Sequence, residues 1–435
     1  MMLAFVIGSK DPAAWNQTVQ YISKALPDCE VITLDSSIGS IGTGLNTALI
    51  DYEQPFFLTL YAGECLLPKF RHEMEQWLQN IADHEAGIVL DSTEDFRNFH
   101  RNHKYRTPRG PVIWRTEALR SGATTGFSDL NRLPFDSYVL IEKQYQLSPF
   151  WSWKMVQTAA WSPRIREHWP WEKKEQEWTY LSPILQAQHA SPVKSKNSVI
   201  SVVICTYNNA SYLPWAINSV RVQTNPIWEL IIVNDGSTDE TQSMLELLAA
   251  RSKDERISVL NLEHNQGKSG CLNRALSLAS GQWLLELDAD DWLTPDCLEI
   301  LLDSVSAPGN PVFVYADHIE WLERPDRRLL FHQVRIAPQV SHPGKLLADA
   351  IPLAPRMYRI AALKEAGGWT LSDPFSGRLY EDLYMLARLL EAGTASHISK
   401  PLYHRRLRKA SMSHRHQDDY ESWVSWYKAA YPPFQ

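Results

Sequence analysis

Three carboxylates end an apolar run in this chain. Gln282-Trp283-Leu284-Leu285-Glu286-Leu287 leads into Asp288-Ala289-Asp290-Asp291. Unpaired charge is costly to bury, so packing alone does not explain the cluster. A cation does, and Mg²⁺ or Mn²⁺ takes one or two carboxylates together with phosphate oxygens. The plainer reading is a solvated acidic turn before a helix, because Thr294-Pro295-Asp296 has the form of a helix start. A second acidic pair, Glu381-Asp382, opens an apolar-periodic segment. There it is either a catalytic pair or a simple response to the helix dipole.

The elements that would carry these groups follow a strand–helix rhythm from residue 199 onward. Val199–Cys205, Glu229–Val233 and Ile257–Leu260 are β-branched or apolar runs typical of strands buried on both faces. Helical spacing occupies about 211–223, 239–251 and 270–279 between them. The rhythm predicts an open, mainly parallel α/β sheet. Polar clusters follow each strand: Thr206-Tyr207-Asn208-Asn209, Asn234-Asp235-Gly236-Ser237-Thr238-Asp239, His264-Asn265-Gln266-Gly267-Lys268 and the aspartates. Ligands of such sheets bind beyond the carboxyl ends of the strands. The residue types suit a nucleoside diphosphate: Tyr207 to stack on a base, Asp235 to accept from it, Lys268 to meet a phosphate and the aspartates to hold the metal.

In order, Val203-Ile204-Cys205-Thr206-Tyr207-Asn208, Val233-Asn234-Asp235-Gly236-Ser237-Thr238-Asp239, Asn265-Gln266-Gly267 with Asn273-Arg274-Ala275-Leu276, and Leu287-Asp288-Ala289-Asp290-Asp291 resemble the family-2 glycosyltransferases of GT-A fold, over roughly 199–413. The resemblance implies an inverting transferase with a nucleotide-sugar donor, most often a uridine diphosphate sugar. It implies nucleotide-sugar contacts from Thr206, Tyr207, Asn208, Asp235, Lys268, Asp288 and Ala289, and a divalent metal (Mn²⁺ or Mg²⁺) on Asp290 and Asp291, with His404 or His414 completing the shell. It also implies Asp382 as catalytic base, Glu381 supporting the acceptor, and Trp369, after Gly367-Gly368, stacking on an acceptor sugar. Asn234 departs mildly from the family, which often has a second acidic residue there. The basic run from His404 to Lys409 is either a lid over the diphosphate or a solvated tail. Without Gln-x-x-Arg-Trp or an apolar run of about 18 residues, single addition is expected rather than processive synthesis. A nucleotidyltransferase would need a Gly-rich basic loop after the first strand. A catalytically inactive sugar- or partner-binding scaffold is the alternative of another class, and the intact acidic residues argue against it.

The first half resembles the second. At a constant shift of 227 in numbering (Leu45 to Leu272), residues 45–68 match 272–295 at nine of 24 positions, against about two by chance. Pro111, Arg115, Ala118 and Leu119 fall on Pro355, Arg359, Ala362 and Leu363, and Phe135–Leu140 falls on Glu381–Leu386. Tyr61, Gly63 and Glu64 stand where Asp288, Asp290 and Asp291 would be, and Gly8-Ser9-Lys10 replaces Cys205-Thr206-Tyr207. The span before the Leu-Asn helix is also about 30 residues shorter by the numbering, a loss of one helix and one strand. The expectation is two GT-A-like α/β domains with mainly parallel sheets flanked by helices, the first degenerate: 1–148 without a donor site, a Trp-rich connector 149–198, and a catalytic domain 199–435. An unrelated α/β domain is the competing reading of the first half. The connector is an interdomain seam, an acceptor surface or a membrane-interface patch.

Composition bounds the rest. The 435 residues are 44% hydrophobic and 21% charged with net charge −7, ordinary for a globular chain and without a global polyanion-binding surface. Five scattered cysteines without CxxC argue against a disulfide framework or zinc site. The start reads as a strand rather than a signal peptide. The expected setting is cytoplasmic or the inner face of the membrane, with a glycan, glycolipid or protein acceptor, no nucleic acid, and a homodimer or peripheral membrane contact left open.

Overall fold

The structure is a computed structural model that describes residues 2–8, 12–35, 41–91, 111–121, 125–127, 138–147, 150–162, 176, 179–181, 183–184, 199–251, 254–306, 309–323, 329–350, 353–408 and 419–432. Contacts divide the chain into two compact units, Met1–Thr179 with Arg324–Leu329, and Tyr180–Glu323 with Leu330–Gln435. The expected linker 191–198, the counterpart Asp136 and the proposed ligand His414 lie outside the described residues.

The first unit contains β1 (Met2–Gly8), β2 (Cys29–Asp35), β3 (Phe56–Tyr61), β4 (Cys65–Leu66), β5 (Glu85–Asp91), β6 (Val112–Arg115), β7 (Ser152–Gln157) and β8 (Trp161–Ser162). Six of them form a sheet in the order β2-β1-β3-β6-β5-β7, with β4 paired to β8 beside it. β7 and β8 thus belong to the first unit. Residues 152–162 are not a connector, because β7 completes the hydrogen bonding of β5. The half-buried Trp153 packs edge-on against the buried Trp114, and Trp161 is itself buried in the core of this unit.

The second unit contains β9 (Ile200–Thr206), β10 (Trp228–Asn234), β11 (Ile257–Asn261), β12 (Trp283–Glu286), β13 (Trp292–Leu293), β14 (Phe313–Glu323), β15 (Leu329–Arg335), β16 (Arg356–Arg359) and β17 (Ala395–Leu407). Their order is β11-β10-β9-β12-β16-β14-β17-β13, with β15 on β14. β9 to β12 are mutually parallel and end at one edge, and the β-branched runs of β9 and β10 are buried because helices cover both faces. β16 runs antiparallel between β12 and β14, so the sheet is mixed away from that edge.

Strand order and direction are the same in both units. β2-β1-β3-β6-β5-β7 runs parallel, parallel, antiparallel, antiparallel, parallel, and so does β10-β9-β12-β16-β14-β17. The rungs coincide. Phe56 faces Arg115 where Trp283 faces Arg359, and in each pair the guanidinium lies over the ring. β11 and the helix Thr241–Arg251 have no described counterpart in the first unit, in line with the shorter span. The register sets Ala4 opposite Leu58 and Val202 opposite Leu285, which aligns Gly8 with Thr206, one residue away from the sequence-based match.

One side-chain device occurs twice. Asn46 accepts from the Phe127 amide at 2.7 Å and donates to its carbonyl at 2.8 Å, while Asn273 does the same to Trp369 at 2.9 and 2.8 Å. Gly126 (φ +72) and Gly368 (φ +76) sit before those aromatics in the left-handed region. A Cβ at either would lie 2.5 Å from the asparagine oxygen. We predict that Gly368→Ala destabilises the second unit by about 1–3 kcal/mol, through the strained φ and the displaced asparagine. Chemical denaturation followed by circular dichroism checks this, and an unchanged midpoint would refute the clamp.

Candidate active site

The parallel edge of the second unit gathers the loops after β9, β10 and β12 and the first turn of the helix Lys268–Leu278. Thr206 ends β9 with its hydroxyl buried and making no hydrogen bond. Tyr207 follows with its ring 45% exposed, available for stacking. Asn208, left-handed at φ 55, accepts from the amides of Thr238 at 2.8 Å and Asp239 at 3.2 Å. Its side chain holds the turn after β10. Asp235 accepts from the amides of Gln266 at 2.6 Å and Gly267 at 3.0 Å, so both its oxygens already shape the neighbouring loop. Any contact with a base uses their remaining lone pairs.

Lys268 does not point at an open phosphate position. Its Nζ lies 2.6 Å from Asp288, 2.8 Å from Glu286 and 3.1 Å from Glu381. Glu286, nearly fully buried, also takes a two-pronged contact from Arg356 (NH2 at 2.8 Å, Nε at 3.2 Å) and accepts from the Tyr358 hydroxyl at 3.2 Å. Arg356 reaches on to Asp382 at 3.4 Å. Thus Glu286 anchors two cations, one touching Glu381 and the other Asp382. Neither Glu286 nor Arg356 was among the residues expected from sequence. A glutamate inside the apolar run Trp283–Leu287 was the available signal.

The three aspartates are placed differently from one another. Asp288, a third exposed, donates its amide to the Tyr403 hydroxyl at 3.2 Å. Asp290 is ion-paired with Arg408, whose guanidinium also lies over Tyr212. Asp291 is buried and accepts from Tyr403 at 2.9 Å and from the Arg406 amide at 2.7 Å. Burial, reinforced by Asp290 and Asp288, pushes its carboxyl well above the ordinary range. Among the described residues no three His, Cys, Asp or Glu side chains converge as an all-protein metal cage.

His404 is a correction. It is fully buried, stacked on Trp292 at 5.1 Å, and accepts from the Trp321 indole at 3.0 Å. Burial lowers its pKa to about 3, and the nitrogen that faces Trp321 is already used. The ring is part of an aromatic wall, its Nε2 is buried without a hydrogen-bond partner, and no metal-ligating cluster includes it among the described residues. Trp369 is a second correction. It is buried, edge-on to Tyr358 and clamped by Asn273, so it offers no face to a sugar. The half-buried rings beside the acidic pair are instead Phe375, Tyr380 and Tyr420. The basic run is no free tail as far as it is described. Arg405 approaches Glu320 at 4.0 Å, Arg406 is buried over Trp292, and Arg408 holds Asp290.

Helix Glu381–Ala392 starts from Tyr380, itself left-handed at φ 59 and packed against Tyr420 and Trp423. Burial lifts the Glu381 carboxyl to about 7, against the pull of Lys268 and with a push from Asp382. Its ordinary value is 4.5, so the folded chain keeps a proton that the unfolded chain has lost. That contribution to stability is whole below pH 4.5 and disappears as pH rises through about 7. We predict that Glu381→Gln flattens this part of the stability–pH curve relative to the parent, measured as unfolding midpoints across that window. Parallel curves for the two proteins would show that Glu381 titrates normally.

Residues 201–353 match the family described as Glycosyl transferase family 2. Chondroitin synthase of Pasteurella multocida is 30% identical over 222 residues, covering 51% of this chain and 22% of that protein. Succinoglycan biosynthesis protein ExoO of Rhizobium meliloti is 30% identical over 163 residues, covering 37% and 45%. Among solved structures, S. aureus TarS 1–349 with UDP-GlcNAc is 21% identical over 53% of this chain and 66% of that one, at a TM-score of 0.41, too remote for any argument to rest on it. The chain spans only about a fifth of the length of the first synthases it matches. The match to glycosyl transferase family 2 thus falls almost entirely within the second unit, on the strands and loops that build the site.

Proposed function

We propose that the second unit transfers a sugar, with inversion, from a nucleoside diphosphate donor to a hydroxyl acceptor in the assembly of a glycan or surface polysaccharide. The observation that carries this is the placement of Asp288, Glu381 and Asp382 around two cations, the partly exposed Lys268 and the buried Arg356, at the parallel sheet edge. The polysaccharide reading draws on relatives such as chondroitin synthase and the succinoglycan protein. A uridine diphosphate sugar is the proposed donor, with Tyr207 stacking on the base and the Thr206 hydroxyl at the nucleoside.

In this reading the Asp382 carboxylate takes the proton of the acceptor hydroxyl. The acceptor oxygen bonds to the anomeric carbon from the face opposite the diphosphate. The bond from that carbon to the diphosphate oxygen breaks, and its electron pair leaves with the diphosphate. Glu381 hydrogen-bonds the acceptor, and Phe375, Tyr380 and Tyr420 line its approach.

A divalent ion fits the donor set. Four carboxylates (Glu286, Asp288, Glu381, Asp382) face two cations (Lys268, Arg356). A diphosphate entering so acidic a site requires added positive charge. The ligands would be hard oxygens of Asp290 and Asp291 together with the phosphates, and the ion would stabilise charge on the leaving diphosphate. Arg408 must then release Asp290, and Asp291 must ionise against its burial.

The first unit is proposed as a degenerate copy without a donor site. At Gly8, the position of Thr206, an added Cβ would fall 2.3 Å from the Trp15 indole and 2.6 Å from Ala62, so no side chain equivalent to Thr206 fits there. Glu64, the remaining carboxylate of the cluster, accepts from the Tyr61 amide at 2.7 Å. Acceptor binding or dimerisation is the proposed role. No helix among the described residues is long and apolar enough to cross a membrane. Action at a cytosolic membrane face is part of the proposal.

The test is a transfer assay with nucleotide-sugars and Mn²⁺, paired with calorimetric binding of uridine diphosphate. Asp382→Asn should lower kcat by about 10³-fold or more, with nucleotide binding retained. Asp290→Ala should weaken metal-dependent nucleotide binding. Full turnover by Asp382→Asn would overturn the base assignment. If the parent protein binds no nucleotide and transfers no sugar, the catalytically inactive scaffold replaces this reading.

A further inference from the structure

The repeated sheet supplies an internal control for the buried ion network. At the rung where Glu286 faces Arg356, the first unit has Thr59 facing Val112. Where Lys268 begins its helix, Ile41 begins the equivalent one. Where Asp288 follows β12, Tyr61 ends β3. Even the hydrogen bond from Tyr358 to Glu286 has a neutral counterpart, Trp114 Nε1 donating to the Thr59 hydroxyl at 2.9 Å. Ile41, Thr59 and Val112 are all buried, and the strands keep the same order, direction and register around them.

We infer that Glu286, Lys268 and Arg356 are positioning residues for catalysis and not part of what holds the sheet together. The inference rests on the proposed transfer function and on reading the two units as copies of one fold. Three arguments support it. A neutral set satisfies the same rungs in the first unit, so the fold has no need of the ions. Replacing a buried ion cluster as a whole by apolar groups of similar volume is often neutral for stability, whereas removing one partner is not. The network also leads somewhere: from Glu286 through Lys268 to Glu381, and from Glu286 through Arg356 to Asp382. The two-pronged Arg356–Glu286 contact fixes the guanidinium plane, and the remaining nitrogen donates to the Leu353 carbonyl at 2.8 Å and lies 3.4 Å from the Asp382 carboxylate. Lys268 links Glu286 to Glu381 in the same way.

The experiment exchanges the set for its counterpart in the full chain: Lys268→Ile, Glu286→Thr and Arg356→Val together. The triple variant should keep the parent's circular dichroism spectrum and a cooperative melt, at a lower midpoint because valine and threonine leave space and the site carboxylates lose their cations, and should lose transfer. Arg356→Lys, alone, keeps a charge but not the fork. It should lower kcat about 10- to 100-fold, the loss expected when a reacting group is slightly misplaced, with the donor KM within twofold of the parent. Arg356→Val should fall further, so that lysine partly rescues it. A purely structural arginine would instead lower the melting temperature and leave kcat per folded molecule unchanged. A triple variant that fails to fold assigns the network to the scaffold and overturns the inference. So does an Arg356→Lys protein with unchanged kcat. A parent protein that transfers no sugar overturns the proposed function first, and this inference with it.

Discussion

Glu286 is a buried carboxylate that cannot remain ionised alone, and the site is organised around its answer to that constraint. Taking one carboxylate from water costs several kcal/mol, which attraction to a partner offsets only with good geometry and further hydrogen bonds. Glu286 has both: two nitrogens of Arg356, the ammonium of Lys268 and the hydroxyl of Tyr358. Burial raises its pKa, but Arg356 and then Lys268 more than compensate, and it stays ionised. Each cation has valence to spare after serving Glu286. Those second contacts are what locate Asp288, Glu381 and Asp382.

Comparison of the units separates what the fold requires from what the chemistry requires. Both share a strand order, the cation over the aromatic at the Phe56–Arg115 and Trp283–Arg359 rungs, and the asparagine clamp on a loop aromatic. These features recur with and without an acidic site, so they belong to the fold. The ion network, the aspartate cluster and the helix and strand after β10 occur only in the second unit among the described residues. Preorganised charge is effective in catalysis because no reorganisation is needed during the reaction. A rigid sheet with a central ion cluster is a direct way to supply it.

The loops after β9 and β10 are built mostly from backbone held by side chains. Asp235 braces the Gln266 and Gly267 amides, and Asn208 braces those of Thr238 and Asp239. Residue types that look like ligands in a sequence are often the braces of the loop that forms the pocket. Two aromatic groups illustrate the same point, since Trp369 and His404 have the chemistry of sugar and metal contacts but are buried by their neighbours.

The sequence alone determined the strand–helix alternation of the second unit, the carboxylate clusters at strand ends, the duplication signal and the shortened span in the first half. All are local or periodic properties, carried by residues a few positions apart. Only the tertiary structure decided which charges meet. Glu286 and Arg356 are separated by 70 residues, and the Asp291 carboxylate and the Arg406 backbone amide that it accepts from by 115. Such pairs exist because β12 lies beside β16 and β13 beside β17, and no local pattern records which strand becomes a neighbour. Burial is decided in the same way: whether Trp369, His404 or Lys268 faces solvent depends on what the rest of the chain packs over it, and that is a sum over the whole fold.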